Sequence, residues 1–269
     1  MSKVLRILVK LSAILTVSIF LITVGYIVIR GIPGLSWDMF AWKYTSENLS
    51  LVPAMITTIM LIVLVLAIAI PFGVLTGIYL TEYARQQSKV VIAIRLATET
   101  LAGIPSIVYG LFGMLFFVFR LQWSYSLIAG AFTAAIMVLP LIIRTTEEAL
   151  LAVDPLLKQA SLGLGATKLQ TIVKVCLPVA MPGILAGVIL SIGRIVGETA
   201  AFIFTLGTMA QLPTRLTESG RTLALHMYVL SSEAFHVREA FATALVLLVI
   251  VLVINRLSTR LSKLVNKTK

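Results

Sequence analysis

The chain has 269 residues, of which 59% are hydrophobic and only 12% charged, and its mean hydropathy is +1.04. Soluble domains carry about 25% charged residues, so this composition excludes an ordinary soluble fold. The formal net charge is +11, but the basic residues punctuate apolar blocks instead of clustering with polar or aromatic readers, which argues against a nucleic-acid-binding protein.

Six apolar blocks are long enough to cross a bilayer, which takes about 20 helical residues. In chain order they span 11–29, 53–80, 101–119, 124–143, 183–206 and 239–255. The first resembles a signal peptide, but its length and the lack of a small-residue cleavage site before Arg30 favour a retained helix. In the second, Pro71 predicts a kink or a cytosolic extension. We therefore predict an all-α membrane protein, a polytopic bundle of about six transmembrane helices.

The basic residues predict the orientation of this bundle, because short cytoplasmic loops carry an excess of Lys and Arg. With the N-terminus inside, 15 of the 22 Lys and Arg residues fall in cytoplasmic segments and 6 in outer segments, with Arg194 inside a helix. Both termini are therefore expected in the cytoplasm. The surplus of positive charge then faces anionic membrane lipid, which explains the basic balance without nucleic acid.

The connection between the fourth and fifth blocks, 144–182, is predicted to be a structured cytoplasmic loop. Asp154 and Pro155 are typical of the start of a short helix, and Gly163 and Gly165 predict the turn that ends it. Such a projecting helix is either a docking element for a soluble partner or a connector lying on the lipid headgroups. The residues alone leave both interpretations open.

The fifth block carries a charge, Arg194, about 16 Å from Gly183 and so near the middle of a hydrocarbon core roughly 30 Å thick. A charge there costs about 2.5 to 3.5 kcal/mol on insertion scales, so we expect it to face protein or a water-filled path. Glu198 follows four residues later, and the two are predicted to pair on one helix face. Either the pair only fixes helix packing, or Arg194 offers its planar donors to an oxyanion. Gly193 and Gly197 would let a neighbouring helix or a substrate approach closely.

The loop also contains a motif that resembles the EAA loop of ABC-importer permeases. Its Glu-Ala-Ala, Gly and Leu-Pro positions are occupied by Gln159, Ala160, Ser161, Gly165, Leu177 and Pro178. The resemblance implies a coupling helix that seats in a groove of an ATP-binding subunit. Gln159 replaces the family glutamate and Ser161 its second alanine, so steric docking through Ala160 and Gly165 carries over, whereas an ion pair at position 159 does not.

Three further motifs resemble the phosphate-specific, PstA-type permeases of these importers. They are GIPSIVYG at 103–110, LPLIIRTTEE at 139–148 and GRIVGETAA at 193–201. The resemblance covers nearly the whole chain and implies one permease domain over 1–269, with the MetI-like architecture of type I importers, in a prokaryotic cytoplasmic membrane. It places Arg194 and Glu198 on a phosphate path, with Arg144 as a further functional arginine. Arg144 is also interpretable as a positive-inside anchor.

The partners that this resemblance implies are a homologous PstC-type permease, two ATP-binding subunits and an external phosphate-binding protein. No GxxxxGK[ST] phosphate loop is present, so ATP and Mg are expected in a partner chain, and no cofactor or metal is expected here. The outer segment 207–237, with Arg215 and Arg221, is a hypothetical contact for the delivery protein.

Two other functions stay open: a permease for another oxyanion, such as phosphonate or sulfate, and a polytopic membrane enzyme in which Glu198 acts as acid or base against Arg194. The residues offer little else for catalysis. Cys176 is the single cysteine and is predicted to be a small apolar filler, which excludes an intramolecular disulfide. His226 and His236 lack ligand spacing and are predicted to be solvated loop residues.

Overall fold

The computed structural model describes residues 3–85, 87–232 and 236–267. Within them the chain forms eleven α-helices: α1 (Lys3–Gly31), α2 (Val52–Ile78), α3 (Lys89–Ala102), α4 (Ser106–Gly113), α5 (Leu127–Leu151), α6 (Pro155–Gly163), α7 (Lys168–Thr171), α8 (Leu177–Gly197), α9 (Ala200–Thr205), α10 (Leu223–Ser232) and α11 (Val237–Lys267). Three π-helical segments extend them: Tyr79–Tyr83 continues α2, Met114–Arg120 continues α4, and Ile172–Cys176 joins α7 to α8. The described residues contain no strand, which confirms the predicted all-α class.

Five of these helices are long and apolar enough to span a membrane. They are Val4–Gly34, Val52–Tyr83, Leu127–Leu151, Lys168–Gly197 and Val237–Leu257. The second contains Pro71 and extends, as predicted, beyond the length that a bilayer requires. The sixth predicted span differs in shape, because it is made of two helices that meet at a sharp bend.

That bent pair replaces the predicted straight span 101–119. Lys89–Ala102 and Ser106–Arg120 meet at 105°, and counting the pair as one span gives six. Pro105 is the cap residue before α4 and has an extended ψ of 143°. A proline also drives the residue before it out of the helical region, so the chain cannot continue α3 through this point. Membrane helices are broken in this way only where protein or a cavity covers the freed backbone.

The centre of the bundle is the parallel pair α2 and α5. A Cβ added to Gly73 would lie 2.6 Å from Ile142 Cγ2, and one added to Gly77 would lie 2.6 Å from Thr146 Cγ2. Small residues therefore let the two backbones approach closely, which is a common basis of helix association in lipid. The largest buried cluster includes Ile142 and extends along these two helices.

Helix α8 packs antiparallel to α5 on another side. Side chains at Gly183 and Gly187 would collide with Ala149 and Thr145, respectively, so these glycines also permit a close contact. Cys176, at the start of α8, is buried and unpaired, as the apolar-filler interpretation predicted.

The fifth predicted span, 183–206, is not one helix. The helix begins much earlier, at Lys168, and ends at Gly197. Glu198 then adopts an extended conformation, and its carboxylate accepts a hydrogen bond of 3.0 Å from the Ala201 backbone N–H, at the start of α9. A side chain that satisfies a nearby backbone group in this way competes with continuation of the helix. The hydropathy pattern did not reveal the break, because the residues on both sides of it are apolar.

The connection that carries α6 lies at what we call the inner end of the bundle. It is shorter than the predicted 144–182, since α5 continues to Leu151 and the next long helix begins at Lys168. The predicted short helix and turn are present. Asp154 caps α6 by accepting from the Leu156 N–H at 2.9 Å, and Gly165 has a left-handed φ of +86°.

Candidate functional site

A cavity of about 480 Å³ opens among α3, α5 and α8. Its lining brings together Arg144 of α5 and Arg194 of α8, two of the predicted site residues. The other charged residues of the lining are Arg95, Glu99, Glu147 and Glu148. Three guanidinium groups and three carboxylates therefore face one space, which we call the arginine cavity.

Two of the three arginines of this cavity are paired. Arg95 Nη2 lies 2.6 Å from Glu147 Oε1 and joins α3 to α5, and the Glu147 side chain is only 15% exposed. Arg144 Nε lies 2.9 Å from Glu148 Oε1, one turn along the same helix, but both side chains are more than 60% exposed. Exposed pairs of this kind contribute about 0–1 kcal/mol, so Glu148 holds Arg144 only weakly.

Arg194 is the arginine without an ion pair to any carboxylate of the described residues. Continuing the antiparallel register of Gly187 and Thr145 by seven residues brings Arg194 level with Val138, near the middle of α5. Its position in the last turn of α8 is thus compatible with central depth, because that helix starts far toward the inner end. Glu198 does not pair with it, and the predicted Arg194–Glu198 ion pair is wrong for this conformation.

Glu198 instead fixes the break that follows α8. Its side chain is buried and caps α9, and α9 packs tightly on α4, where a Cβ added to Gly110 would lie 2.8 Å from Ala201 Cα. Across the other break, the Tyr109 hydroxyl donates a 2.7 Å hydrogen bond to the Leu101 carbonyl. Glu198 lies outside the lining of the arginine cavity. Discontinuous helices at mid-depth are typical of transporter binding sites.

One face of α8 has no cover in the described part of the chain. Leu190 on this face is 59% exposed, and a Cβ added to Gly193 or Gly197 would meet no described atom within 4 Å. The described residues therefore leave the close approach predicted at these two glycines unused.

The sequence relationships agree with this architecture. Residues 69–268 match the family described as the binding-protein-dependent transport system inner membrane component. This chain belongs to that family. As a family member it is a multi-pass inner membrane protein and a transport subunit, and membership counts against the alternative of a polytopic membrane enzyme.

Two relatives of this permease cover most of its length. It is 33% identical over 262 residues to the probable ABC transporter permease protein YqgI of Bacillus subtilis (strain 168), which covers 90% of this chain and 88% of that protein. It is 34% identical over 211 residues to the phosphate transport system permease protein PstA of Haemophilus influenzae, covering 78% of this chain and 74% of that protein. The predicted resemblance to ABC-importer permeases is confirmed.

Solved structures show the same fold. A chain of a bacterial ABC transporter involved in the import of alginate superposes with a TM-score of 0.67 at 19% identity, covering 94% of this permease and 95% of that chain. A chain of the MetNI methionine ABC transporter, solved in inward-facing conformations, superposes with a TM-score of 0.64 at 20% identity, with coverages of 90% and 97%. The predicted MetI-like permease architecture is confirmed.

The predicted coupling residues of the permease lie on and beside α6. Gln159, Ala160 and Gly165 are exposed, and no residue of α6 is buried. Ser161 is turned inward, with its Oγ 2.9 Å from Thr171 Oγ1. The tip residue Leu164 is 90% exposed, so the turn presents apolar surface that the described residues of this chain do not cover.

Sequence reasoning missed Arg95 and Glu99 of the arginine cavity. They lie four residues apart on α3, an amphipathic helix that precedes the predicted third span. The i, i+4 spacing of these two charges places them on one helix face and was the available signal. From the sequence alone this spacing indicates a solvated helix face, whereas the fold shows that the face packs over α5.

The prediction that His226 is a solvated loop residue is wrong, and within the predicted contact segment 207–237 Arg215 is exposed whereas Arg221 is buried. His226 lies in α10 and is fully buried, and both of its ring nitrogens lack a hydrogen bond from the described residues. Burial, and then the positive charge of Arg221, lower the pKa of His226 to about 3, against an opposing effect of the Leu49 main chain. Arg221 is itself only 4% exposed, with its guanidinium 4.7 Å from the centre of the Tyr44 ring, so it is not available to a delivery protein in this conformation.

Proposed function

We propose that this chain is the membrane-spanning subunit of an ATP-driven importer of inorganic phosphate. Relatives at this level of identity include permeases named for phosphate transport. The observation that carries the proposal is that Arg144 and Arg194 line one cavity, with Arg194 unpaired among the described residues. A guanidinium fork matches the oxygens of an oxyanion, and an unpaired one at this depth favours a passing anion.

In this mechanism Glu147 and Glu148 pair with Arg95 and Arg144 while phosphate is absent, and Arg194 has no carboxylate partner among the described residues. Arg194 makes the first contact with the anion because it has no partner to lose. Arg144 follows by exchanging the weakly held Glu148 for a phosphate oxygen, so its charge is compensated before and after the exchange. Arg95 stays with Glu147 and keeps α3 on α5, which preserves the wall of the cavity. Glu198 positions Arg194 through the break after α8.

The proposed partners occupy the surfaces that this chain leaves open. ATP-binding subunits, which would hold ATP and Mg, dock on the exposed residues of the 144–182 segment: Gln159, Ala160 and Gly165, with Ser161 behind them. A homologous PstC-type permease packs on the face of α8 that carries Gly193 and Gly197. An external phosphate-binding protein delivers the anion at the opposite end. In this arrangement residues 1–269 form one permease domain with both termini in the cytoplasm.

The test is phosphate uptake by the complete complex in proteoliposomes with ATP inside. Arg194→Gln should lower uptake roughly 10- to 100-fold, since a hydrogen-bonded contact to a charged group is worth about 1.5–3 kcal/mol. Arg120→Gln, which removes an exposed arginine at the end of the α4 extension, is the matched control and should leave uptake unchanged.

Two results would contradict the proposal. If the complex took up labelled sulfate or phosphonate and excess phosphate did not compete with that uptake, the substrate would be another oxyanion. If Arg194→Gln prevented recovery of the assembled complex but left the uptake of whatever complex did form unchanged per molecule, Arg194 would serve packing alone.

A further inference from the structure

Two lysines converge on one residue at the inner end of α2. The Lys158 ammonium of α6 lies 2.5 Å from the Glu82 carboxylate. Lys168 begins α7, and its ammonium donates a hydrogen bond to the Glu82 main-chain carbonyl and lies 4.8 Å from the centre of the Tyr83 ring. The two lysines stand on either side of the Gly163–Gly165 turn, so both arms of the α6–α7 turn are tied to the same point.

This attachment is more sheltered than an ordinary surface ion pair. The Glu82 side chain is 11% exposed and that of Lys158 is 26% exposed. A cleft of about 260 Å³ runs beside them, lined also by Leu162, Thr171 and Ile172. Removing one charge of a sheltered pair leaves the other poorly compensated, whereas removing one charge of an exposed pair changes little.

The α6–α7 turn is also closed on itself. Ser161 Oγ and Thr171 Oγ1 lie 2.9 Å apart, linking the helix before the turn to the helix after it. A push on the exposed side of α6 therefore moves the turn as a unit. Glu82 lies on the opposite side, where this unit meets α2.

From Glu82 the contact continues to the arginine cavity. Helix α2 packs on α5 through Gly73 and Gly77, with spacing too close for any added side chain. Arg144 lies on α5 between the residues that face these two glycines, Ile142 and Thr146. Close-packed elements transmit displacement instead of absorbing it, so movement of the α2 end reaches the helix that carries Arg144.

We propose that Glu82 is a coupling residue, whose ion pair with Lys158 transmits movement of the α6–α7 turn into α2 and from there to the arginine cavity. The assignment rests on the proposed transport function, but it concerns a residue outside the EAA-like motif and outside the cavity. The exposed face of α6 receives the ATP-binding subunit, and the Glu82 face passes the movement on.

The test measures ATP hydrolysis and phosphate uptake on the same proteoliposomes of the complete complex. Glu82→Gln keeps the size of the side chain and removes its charge. It should lower the phosphate taken up per ATP hydrolysed at least 5-fold while hydrolysis continues and the complex still assembles. Glu47→Gln removes an exposed carboxylate before α2, at the end of the bundle opposite Glu82, and should leave this ratio unchanged.

A double-mutant cycle separates the ion pair from general damage. Lys158→Gln should lower the ratio as much as Glu82→Gln does, and the double variant should be no worse than either single variant, because one interaction is lost in all three. Independent losses that multiply in the double variant would overturn the proposal. An unchanged ratio in Glu82→Gln would overturn it as well.

A cross-link keeps the proposal testable if the glutamine variants assemble poorly. Cysteines at positions 82 and 158, joined by a short reversible thiol-specific reagent, should restore the ratio when linked and lose it when the link is cleaved. These variants are made in a Cys176→Ala background, because the native thiol is buried close to both positions. A ratio of phosphate taken up to ATP hydrolysed that is the same with and without the link would contradict the assignment. If the unmodified complex carries another oxyanion, the phosphate proposal fails, yet the same ratio measured with that anion still tests Glu82.

Discussion

The arginine cavity at the inner end and the buried cluster of Tyr44, Arg221 and His226 near the other end are opposite solutions to placing charge in an apolar bundle. In the cavity, each arginine except Arg194 has a carboxylate partner, and about 480 Å³ of space is open beside them. In the cluster, Arg221 has no carboxylate partner among the described residues, and its Nε and Nη2 atoms are buried without a hydrogen bond. The bundle in this conformation is therefore open around Arg144 and closed around Arg221.

The contrast shows where a solute can act. An open site with an exchangeable partner can bind an anion at little cost, because the displaced Glu148 carboxylate is already 62% exposed and returns to water. A buried cation without a carboxylate partner among the described residues is costly to maintain, so the cluster is a place where opening would be favourable. The cation–π contact with Tyr44 offsets part of that cost, by about 2 kcal/mol when desolvated.

After the loss expected for Arg194→Gln, the largest effect is expected at the open end, at Arg144. Arg144→Gln should lower phosphate uptake about 10-fold in proteoliposomes, since the anion loses one charged donor. Because the residue is exposed and its pair with Glu148 is weak, the thermal midpoint of the purified complex should change by less than about 1 °C. A large loss of thermal stability with normal uptake per folded complex would make Arg144 an anchor and not a substrate contact.

Replacing an arginine with methionine should change the thermal midpoint in opposite directions at the two ends of the bundle. Arg221→Met removes an unpaired buried cation and should raise the thermal midpoint by a few degrees, at about 2–4 °C per kcal/mol. By stabilising the closed form it should also slow uptake. Arg95→Met strands Glu147, which is mostly buried, and should lower the thermal midpoint by a similar amount. Differential scanning fluorimetry of both variants checks this, and equal signs would refute the contrast.

The buried cluster should also make the stability of the protein depend on pH. His226 has a pKa of about 3 instead of its ordinary 6.5, so between these values the unfolded chain binds a proton that the folded chain does not. The free energy of unfolding therefore falls as pH falls from 6.5 toward 3, by up to about 1.4 kcal/mol per unit. His226→Phe should lose less thermal stability between pH 7 and pH 5 than the unmodified protein. His236→Phe, at a partly exposed histidine, should keep the full loss.

The bundle itself was predictable because long apolar blocks have few alternatives in lipid. Its two breaks were not, since apolar composition runs straight through them. The signals were local: Pro105 ends the path of α3, and Glu198 precedes by three residues the backbone N–H that it caps. A helical-face argument assumed an unbroken helix and therefore paired Glu198 with Arg194.

The arginine cavity could be predicted only in part. Arg144 and Arg194 were recognisable from their motifs, but Arg95 meets Glu147 across 52 residues of sequence, and nothing local encodes that pairing. The same holds for Glu82 and Lys158, which are 76 residues apart. Charges near the ends of membrane helices are usually solvated anchors. A charge that pairs with another helix can be told from such an anchor only when it is known which helices are in contact.

The smallest effect, and the finest test of the exchange mechanism, is expected at Glu148. Glu148→Gln removes the competitor that holds Arg144 while phosphate is absent, so the KM for phosphate uptake should fall about 2- to 3-fold, with kcat little changed. The effect is small because an exposed i, i+4 pair is weak. Glu147→Gln is the informative counterpart, because Arg95 and not Arg144 is its partner and the KM should not fall. A rise in KM for Glu148→Gln would mean that the carboxylate orients Arg144 toward phosphate instead of competing with it.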